Sequence, residues 1–342
     1  MQVSEFTGAS IPSWLIGYGA AFGALPPFLQ YLFAALFGLA IGSFLTVVIH
    51  RLPIMMERAW RHEIAEEHAR EAGQDAAPGA SAGASDAPAA FSASAAADLS
   101  RVPGVPDAPA TAMPPSLERY DLALPRSACP SCGHVLRPHE NIPLVSYLIA
   151  RGRCRACGHA IGILYPVVEG LTLALALAVL WHFGAGWTGV AAFGLCATLV
   201  ALAFIDARTH LLPDVLTLPL LWAGLLLNVG DLFVPLADAV IGAAAGYLFL
   251  WLIYWGFRLL RGKEGMGYGD FKLLAALGAW LGWQALPQII LLSALTGSLF
   301  GLAALFGGRL RPDQPLPFGP YLALAGGIAL FFGDPLLHWI AR

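Results

Sequence analysis

The sequence has few charged residues. Asp, Glu, Lys and Arg make up 12% of its 342 residues, whereas soluble domains carry about 25%. Hydrophobic residues make up 58% of the chain, and the mean hydropathy is +0.68. This composition excludes an ordinary soluble enzyme and indicates an all-α protein that crosses a membrane several times. We therefore expect membrane lipid around the chain and no nucleic-acid partner.

Lys and Arg are absent from residues 1–27. A cleavable signal peptide needs a positively charged segment before its apolar core, so none is predicted here. We interpret residues 1–27 as an N-terminal segment on the outer side of the membrane.

Eight apolar stretches are candidates for membrane helices, each of which needs about 20 residues. They cover residues 28–50, 163–183, 187–205, 213–230, 234–257, 270–284, 286–306 and 318–340. The sixth is short, and we expect it to begin as a half-buried helix.

The basic residues predict the orientation of these helices. Lys and Arg lie in the segments after the first, third, fifth and seventh stretches, whereas the alternate loops (184–186, 231–233 and around 285) carry none. Cytoplasmic loops are the ones enriched in Lys and Arg. The N-terminus is therefore predicted to lie outside.

Two aspartates lie at the ends of apolar stretches. Asp206 ends the third, in FID at 204–206, and Asp270 begins the sixth, in GYGD at 267–270. The predicted orientation puts both ends on the cytoplasmic side, so the two carboxylates can meet at one depth. Because an Asp at the bilayer centre costs about 2.5 to 3.5 kcal/mol, we expect these residues to have a function.

A pair of close carboxylates can hydrolyse a peptide bond. Two such groups cannot both ionise easily, so they share a proton. One can then activate water as a base while the other polarises the scissile carbonyl. The structural alternative is that Gly-x-Gly-Asp is a helix cap and that Asp206 is only an interfacial residue.

Glycines and charged residues elsewhere in the apolar part of the chain have predicted roles of their own. Gly267 and Gly269 lack side chains, so the backbone beside Asp270 can approach an extended substrate. Asp214 is expected to cap a helix. Lys272 is expected to pair with a lipid phosphate or an acidic residue, and Glu169 faces either a cavity or a helix partner.

Four of the five cysteines form two Cys-x-x-Cys pairs within residues 121–162: Cys129, Cys132, Cys154 and Cys157. Each pair can present two thiolates to one tetrahedral ion, so the spacing predicts a Zn²⁺ site. The alternatives are a redox pair or unrelated buried cysteines. A bound metal would allow this short segment to fold.

Two histidines and the fifth cysteine are not predicted to be metal ligands. His134 and His159, which follow the cysteine pairs, are interpreted as surface residues. Cys196, within the third apolar stretch, is interpreted as a packing residue.

Residues 59–120 differ from the rest of the chain. They are rich in Ala, Ser, Pro, Gly and acidic residues and cannot bury enough apolar surface to fold. We predict a disordered cytoplasmic insertion. The alternative for its beginning is a short surface helix over residues 58–70.

The motifs together resemble the type IV prepilin peptidases, also called leader peptidase/N-methyltransferases. The resemblance covers nearly the whole chain outside residues 59–120 and the extreme N-terminus. Besides the two cysteine pairs, it rests on GSFLTVVIHRLP at 42–53, ENIPLVS at 140–146, FIDARTHLLPD at 204–214, GMGYGDFK at 265–272 and PFGP at 317–320.

This resemblance implies an intramembrane aspartic protease of the bacterial inner membrane. It implies that residues 163–342 form a seven-helix peptidase core in which Asp206 and Asp270 match the catalytic pair. The substrates would be prepilins and pseudopilins, cleaved after a short basic leader. Many members then methylate the new N-terminus with S-adenosylmethionine, and the four cysteines match the family's metal-binding tetrad.

Two other functions stay open at this stage. One is a peptidase without methyltransferase activity, because no Gly-rich S-adenosylmethionine motif of the soluble type is present. The other is a proton-coupled transporter with a regulatory zinc ribbon, since acidic residues in membrane helices also form proton relays. Transporters usually contain repeated halves, and no convincing repeat relates residues 28–183 to 187–340.

Overall fold

The computed structural model describes residues 22–74, 120–262, 266–307 and 316–340. The chain divides into two compact units, one formed by Met1–Ile54 with Arg126–Arg342 and the other by Met55–Pro125. In the described residues no β-strand forms, and the only β-pairing is two isolated bridges, Ala128 to Val135 and Arg153 to Ala160. The all-α prediction is confirmed.

Each of the eight predicted apolar stretches coincides with a helix. The helices are α1 (Pro27–Gln74), α2 (Val145–Ile149), α3 (Leu164–Phe183), α4 (Trp187–Thr209), α5 (Asp214–Leu227), α6 (Leu236–Arg261), α7 (Tyr268–Leu281), α8 (Leu286–Phe306) and α9 (Gly319–Ile340), of which only the five-residue α2 was not predicted. Within the described residues, five are long and apolar enough to cross a membrane, namely α1, α3, α4, α6 and α8. The protein is therefore a multi-pass membrane protein.

Helix α1 is longer than the sequence pattern indicated. It has 48 residues, or about 72 Å at 1.5 Å per residue, against a hydrocarbon core of about 30 Å. The predicted span 28–50 is thus only its first half. Residues 59–74 are helical, so the prediction of disorder is wrong there, and the alternative of a helix over residues 58–70 agrees with the structure. The remainder of the predicted insertion, 75–119, lies outside the described residues.

Side-chain pairs one helical turn apart explain the extension of α1. Arg61 pairs with Glu57, and Glu66 pairs with Arg70, each at a spacing of four residues. Such pairs stabilise a helix by about 0.2–0.5 kcal/mol each. The composition of residues 59–74 excludes an apolar core but does not exclude a single solvated helix.

Helix α7 is the most enclosed element of the bundle. It packs against α5, α6 and α9, and every residue from Asp270 to Trp280 except Lys272 is buried. Small residues allow this close packing: a Cβ added at Gly246 of α6 would lie 2.7 Å from the carbonyl oxygen of Leu274.

Buried polar side chains fix the far end of α7. The amide of Asn228 donates to the carbonyls of Ala279 and Trp280 at 2.9 and 3.3 Å. The indole N–H of Trp280 donates to the carbonyl of Leu220 at 2.8 Å. Since unpaired polar groups are costly in an apolar interior, these bonds favour one register of α7 against α5.

Helices α1 and α3 approach closely through two glycines of α1. A Cβ at Gly38 would lie 2.8 Å from the Cβ of Ala176, and one at Gly42 would lie 2.8 Å from the Cα of Glu169 and closer still to the Thr172 hydroxyl. The absence of side chains at Gly38 and Gly42 therefore sets the distance between the two helices.

We predict that Gly42→Ala destabilises the protein by about 1–3 kcal/mol, because the new methyl group overpacks the α1–α3 contact. The measurement is thermal unfolding in detergent. Gly170→Ala on α3 is the matched control, since a Cβ there meets nothing within 4 Å. Equal melting temperatures for the two variants would contradict the packing argument.

Candidate active site and metal centre

Asp206 lies in the last turn of α4, where the helix is stopped by His210 in a left-handed conformation (φ 54°, ψ 29°). The Asp206 side chain is only 5% exposed. Its Oδ2 accepts a hydrogen bond of 2.9 Å from the backbone N–H of Gly319, the first residue of α9. The first N–H groups of a helix have no partner within the helix, so α9 directs a free donor at this carboxylate.

Gly319 is a site residue that the sequence analysis did not single out. A Cβ at this position would lie 2.6 Å from Oδ2 of Asp206, so a side chain there would displace the carboxylate. The available signal was the PFGP motif at 317–320, which was noted only as part of the resemblance. Nothing local in that motif indicates a contact with α4.

Asp270 lies in the first turn of α7, and this turn follows the N-cap residue Gly267, which has an extended backbone. It is 6% exposed, and no hydrogen-bond donor among the described residues reaches its buried Oδ1. Asp206 and Asp270 are close enough to interact electrostatically, and α9 packs against both of their helices. The structure therefore brings the two predicted carboxylates into one buried region.

The two glycines before Asp270 have different surroundings. A Cβ at Gly269 would lie 2.6 Å from the Cβ of Leu212, so this glycine lets the first turn of α7 pack on the loop between α4 and α5. A Cβ at Gly267 meets nothing within 4 Å. Of the two glycines, Gly267 has the open side, and a role for either in substrate approach stays a prediction.

Lys272 and Asp214 form an ion pair between α7 and α5. The Lys272 ammonium lies 2.7 Å from each carboxylate oxygen of Asp214. Of the two partners considered for Lys272, the structure therefore shows the acidic residue. Asp214 also lies in the first turn of α5, where negative charge is favourable. The pair ties the starts of α5 and α7 together beside Asp270.

Glu169 links three segments instead of facing a cavity. Its Oε2 accepts a 2.7 Å hydrogen bond from the N–H of Leu144, and its carboxylate also interacts with the Ser43 hydroxyl of α1. Leu144 has φ 56° and ψ −46°, an unfavourable conformation for a residue with a side chain. Glu169 thus holds a strained turn just before α2.

The two Cys-x-x-Cys segments form equivalent turns. In the first, the N–H of Cys129 donates to the carbonyl of His134 at 2.9 Å. In the second, Cys154 donates to the carbonyl of His159 at 2.8 Å. In each turn the glycine after the second cysteine has a positive φ, 70° for Gly133 and 73° for Gly158, a conformation that glycine adopts without strain.

The four cysteine sulfurs form one cluster. They lie within 4.8 Å of one another, with Cys129 to Cys157 at 3.8 Å and Cys132 to Cys154 at 4.0 Å. Metal–sulfur bonds of about 2.3 Å in a tetrahedron would separate the sulfurs by about 3.8 Å, so the residues fit a metal ion. Backbone N–H groups of Cys132 and Ser131 lower the pKa of the Cys129 thiol to about 7, which favours the thiolate that binds metal.

The other candidate ligands lie outside this cluster. His134 directs its Nε2 at the Glu140 carboxylate, 3.2 Å away, and His159 is exposed. The backbone N–H of Arg137 and the His134 ring lower the pKa of Glu140. Cys196 is buried within α4. Among the described residues, the four cysteines are the only group of three or more His, Cys, Asp or Glu side chains placed to hold an ion.

Comparison with known families matches both parts of the chain. The pattern of the Bacterial Peptidase A24 N-terminal domain matches residues 36–183, and that of the Type IV leader peptidase family matches residues 193–302. A protein of Burkholderia pseudomallei strain 1026b is 52% identical over 316 residues, which cover 92% of this chain and 90% of that protein. The chain belongs to the type IV leader peptidase family.

Other relatives of this leader peptidase family member have the same name as the Burkholderia protein, prepilin leader peptidase/N-methyltransferase. The Aeromonas salmonicida A449 protein is 50% identical over 313 residues, which cover 92% of this chain and 94% of that protein. The Pseudomonas aeruginosa PAO1 protein is 49% identical over 301 residues, with coverage of 88% and 90%. No solved structure matches the chain.

We predict that the purified protein contains one tetrahedrally bound metal ion per chain. Cys154→Ser should lose most of it, because three thiolates hold the ion less tightly than four. Metal content measured by inductively coupled plasma mass spectrometry checks this. Cys196→Ser is the matched control and should keep its metal, since Cys196 lies outside the cluster. Equal metal loss in both variants would contradict the assignment.

For the Lys272–Asp214 pair, we predict that Asp214→Lys and Lys272→Asp each lower the melting temperature, because each places like charges together. The double variant exchanges the charges and should recover part of the loss. Since the pair is partly exposed, its coupling free energy should be about 0.2–1 kcal/mol. A double variant as unstable as the sum of the two single variants would show that the pair contributes nothing.

Proposed function

We propose that this protein removes the leader peptide from type IV prepilins and pseudopilins, with Asp206 and Asp270 as its catalytic pair. The observation that carries the proposal is the pair itself: two buried aspartates at the ends of α4 and α7, with the charge of Asp206 acting on Asp270. Membership of the leader peptidase family and the names of the relatives support the same reaction.

Such a pair can cleave a peptide bond without a covalent intermediate. One carboxylate takes a proton from water as the water oxygen attacks the scissile carbonyl carbon. The other, protonated, donates to the carbonyl oxygen. When the resulting tetrahedral diol collapses, the carboxyl that took the proton from water gives it to the leaving amine, and the other carboxylate regains its proton from the diol. The products are the leader carboxylic acid and a new N-terminus.

The proposed location is the bacterial inner membrane, with the N-terminus in the periplasm. The absence of Lys and Arg from loops 184–186 and 231–233 supports this orientation, which puts the aspartates at the cytoplasmic boundary. A prepilin changes at that boundary from a basic leader to an apolar helix. The cleaved bond and the two carboxylates would then lie at the same depth.

A second reaction is proposed to follow on the new N-terminus. The relatives are named N-methyltransferases, which supports methylation of the terminal amine. S-adenosylmethionine would supply the methyl group. We assign no residue to its binding.

Zn²⁺ is the proposed ion of the cysteine cluster. Four thiolates and the two glycine-containing turns suit a closed, structural zinc site, and the ion would stabilise a segment that has little apolar core. The ion would have no part in peptide hydrolysis.

We predict that Asp206→Asn and Asp270→Asn each abolish cleavage, because either variant leaves only one carboxyl group and no proton can be shared. The measurement is mass spectrometry of a prepilin incubated with the purified variant. Asp231→Asn is the matched control. Asp231 is exposed and has φ 51°, which Asn tolerates, so this variant should cleave normally. Full activity in either pair variant would exclude the assigned roles.

The same spectra test methylation. With S-adenosylmethionine supplied, the mature pilin should gain the mass of one CH₂ group, and without the cofactor it should not. A cleaved but unmethylated product in the presence of the cofactor would favour a peptidase that lacks methyltransferase activity.

A further inference from the structure

The two carboxylates of the site are buried almost equally but have different hydrogen-bond partners. Asp206 and Asp270 are 5% and 6% exposed. Oδ2 of Asp206 accepts the Gly319 N–H at 2.9 Å. No donor in the described part of the chain reaches the buried Oδ1 of Asp270. Burial alone therefore does not show which aspartate is the base and which is the acid. The hydrogen-bond partners distinguish the two.

The Gly319 N–H favours a negative charge on Asp206. Gly319 opens α9, and the N-terminal end of a helix carries a partial positive charge that stabilises anions. A hydrogen bond to an ionised acceptor is also stronger than one between neutral groups. Of the two buried carboxyl groups, Asp206 is therefore the one whose ionised form has a hydrogen-bond donor within the described residues.

The surroundings of Asp270 favour its neutral form. A buried charged oxygen with no donor is costly, whereas a protonated carboxyl removes the charge and supplies a donor. The negative charge of Asp206 acts in the same direction. A protonated Asp270 has a hydrogen to donate, and a substrate carbonyl could accept it.

We infer that Asp206 is the ionised partner, which takes the proton from water, and that Asp270 is the protonated partner, which donates to the scissile carbonyl. Gly319 is then a positioning residue that acts through Asp206. This inference rests on the proposed peptidase function and adds to it the separate role of each aspartate.

Three other charged groups of the bundle have their own partners. Lys272 and Asp214 pair with each other, and Glu169 is bound to the N–H of Leu144. A titratable group that acts on Asp206 is His210, the residue that ends α4. Its charge also favours ionised Asp206, so the experiment is repeated in a variant that lacks this imidazole.

The decisive experiment removes the Gly319 N–H without adding a side chain. Glycolic acid replaces Gly319 by suppressor-tRNA translation in a cell-free system with lipid nanodiscs, so an ester oxygen stands where the N–H was. Protein made in the same way with glycine at 319 is the control. The measurement is the pH dependence of kcat/KM for cleavage of a prepilin, which reports the free enzyme.

The expected result is a shift of the acidic limb to higher pH by about one unit, because ionised Asp206 loses a charge-assisted hydrogen bond. The alkaline limb, which reports loss of the Asp270 proton, should stay in place. The same shift should occur in a His210→Asn background, since Asn tolerates the φ of 54° at this position.

Two results would overturn the inference. A shift confined to the alkaline limb would mean that the carboxylate next to Gly319 is the proton donor. An unchanged pH profile with a lower rate would reduce Gly319 to a steric role. Full activity in Asp206→Asn would instead refute the proposed function itself.

A second measurement does not require an active ester variant. Infrared difference spectra at neutral pH should show the C=O band of a protonated carboxyl in the wild type and in Asp206→Asn, and its loss in Asp270→Asn. Loss of this band in Asp206→Asn together with its retention in Asp270→Asn would reverse the assignment.

Discussion

The fold depends on the enclosure of one short helix. Helix α7 has 14 residues, about 21 Å, and is too short to cross a hydrocarbon core of about 30 Å. It is stable there because α5, α6 and α9 cover it and because Asn228 and Trp280 satisfy polar groups at its far end. Enclosure places its first turn, and therefore Asp270, inside the protein.

Burial changes how the carboxyl groups of the two aspartates ionise. In water, two separate Asp carboxyl groups would both be ionised at neutral pH. Here both residues are buried, and the charge of Asp206 acts on Asp270, which are the conditions under which the proposed pair would share a proton. The single donor from Gly319 makes the pair asymmetric. Lys272 and Asp214 pair with each other, so neither of them is a partner of Asp206 or Asp270 in the proposed proton sharing.

The segment that contains the cysteine cluster is stabilised differently from the helix bundle. Residues 126–162 lack a large apolar core, so their local folding relies on tight turns and, by proposal, on a bound ion. Paired cysteines in short turns with positive-φ glycines could be recognised in the sequence because each turn is local. By contrast, the helix at residues 59–74 was only an alternative prediction for residues 58–70, since a solvated helix held by ion pairs has no apolar signature.

The helical class, the positions of eight apolar helices, the two aspartates and the four cysteines could all be predicted from the amino-acid sequence. All of these are carried by residues adjacent in the chain, where hydropathy, turn chemistry and spacing act directly. Which groups meet could not be predicted, because it depends on the packing of the helices. Gly319 lies 113 residues from Asp206, Lys272 lies 58 from Asp214, and Glu169 lies 25 from Leu144. These contacts depend on how the helices pack, and packing depends on the shape of whole helix surfaces, which no local pattern specifies.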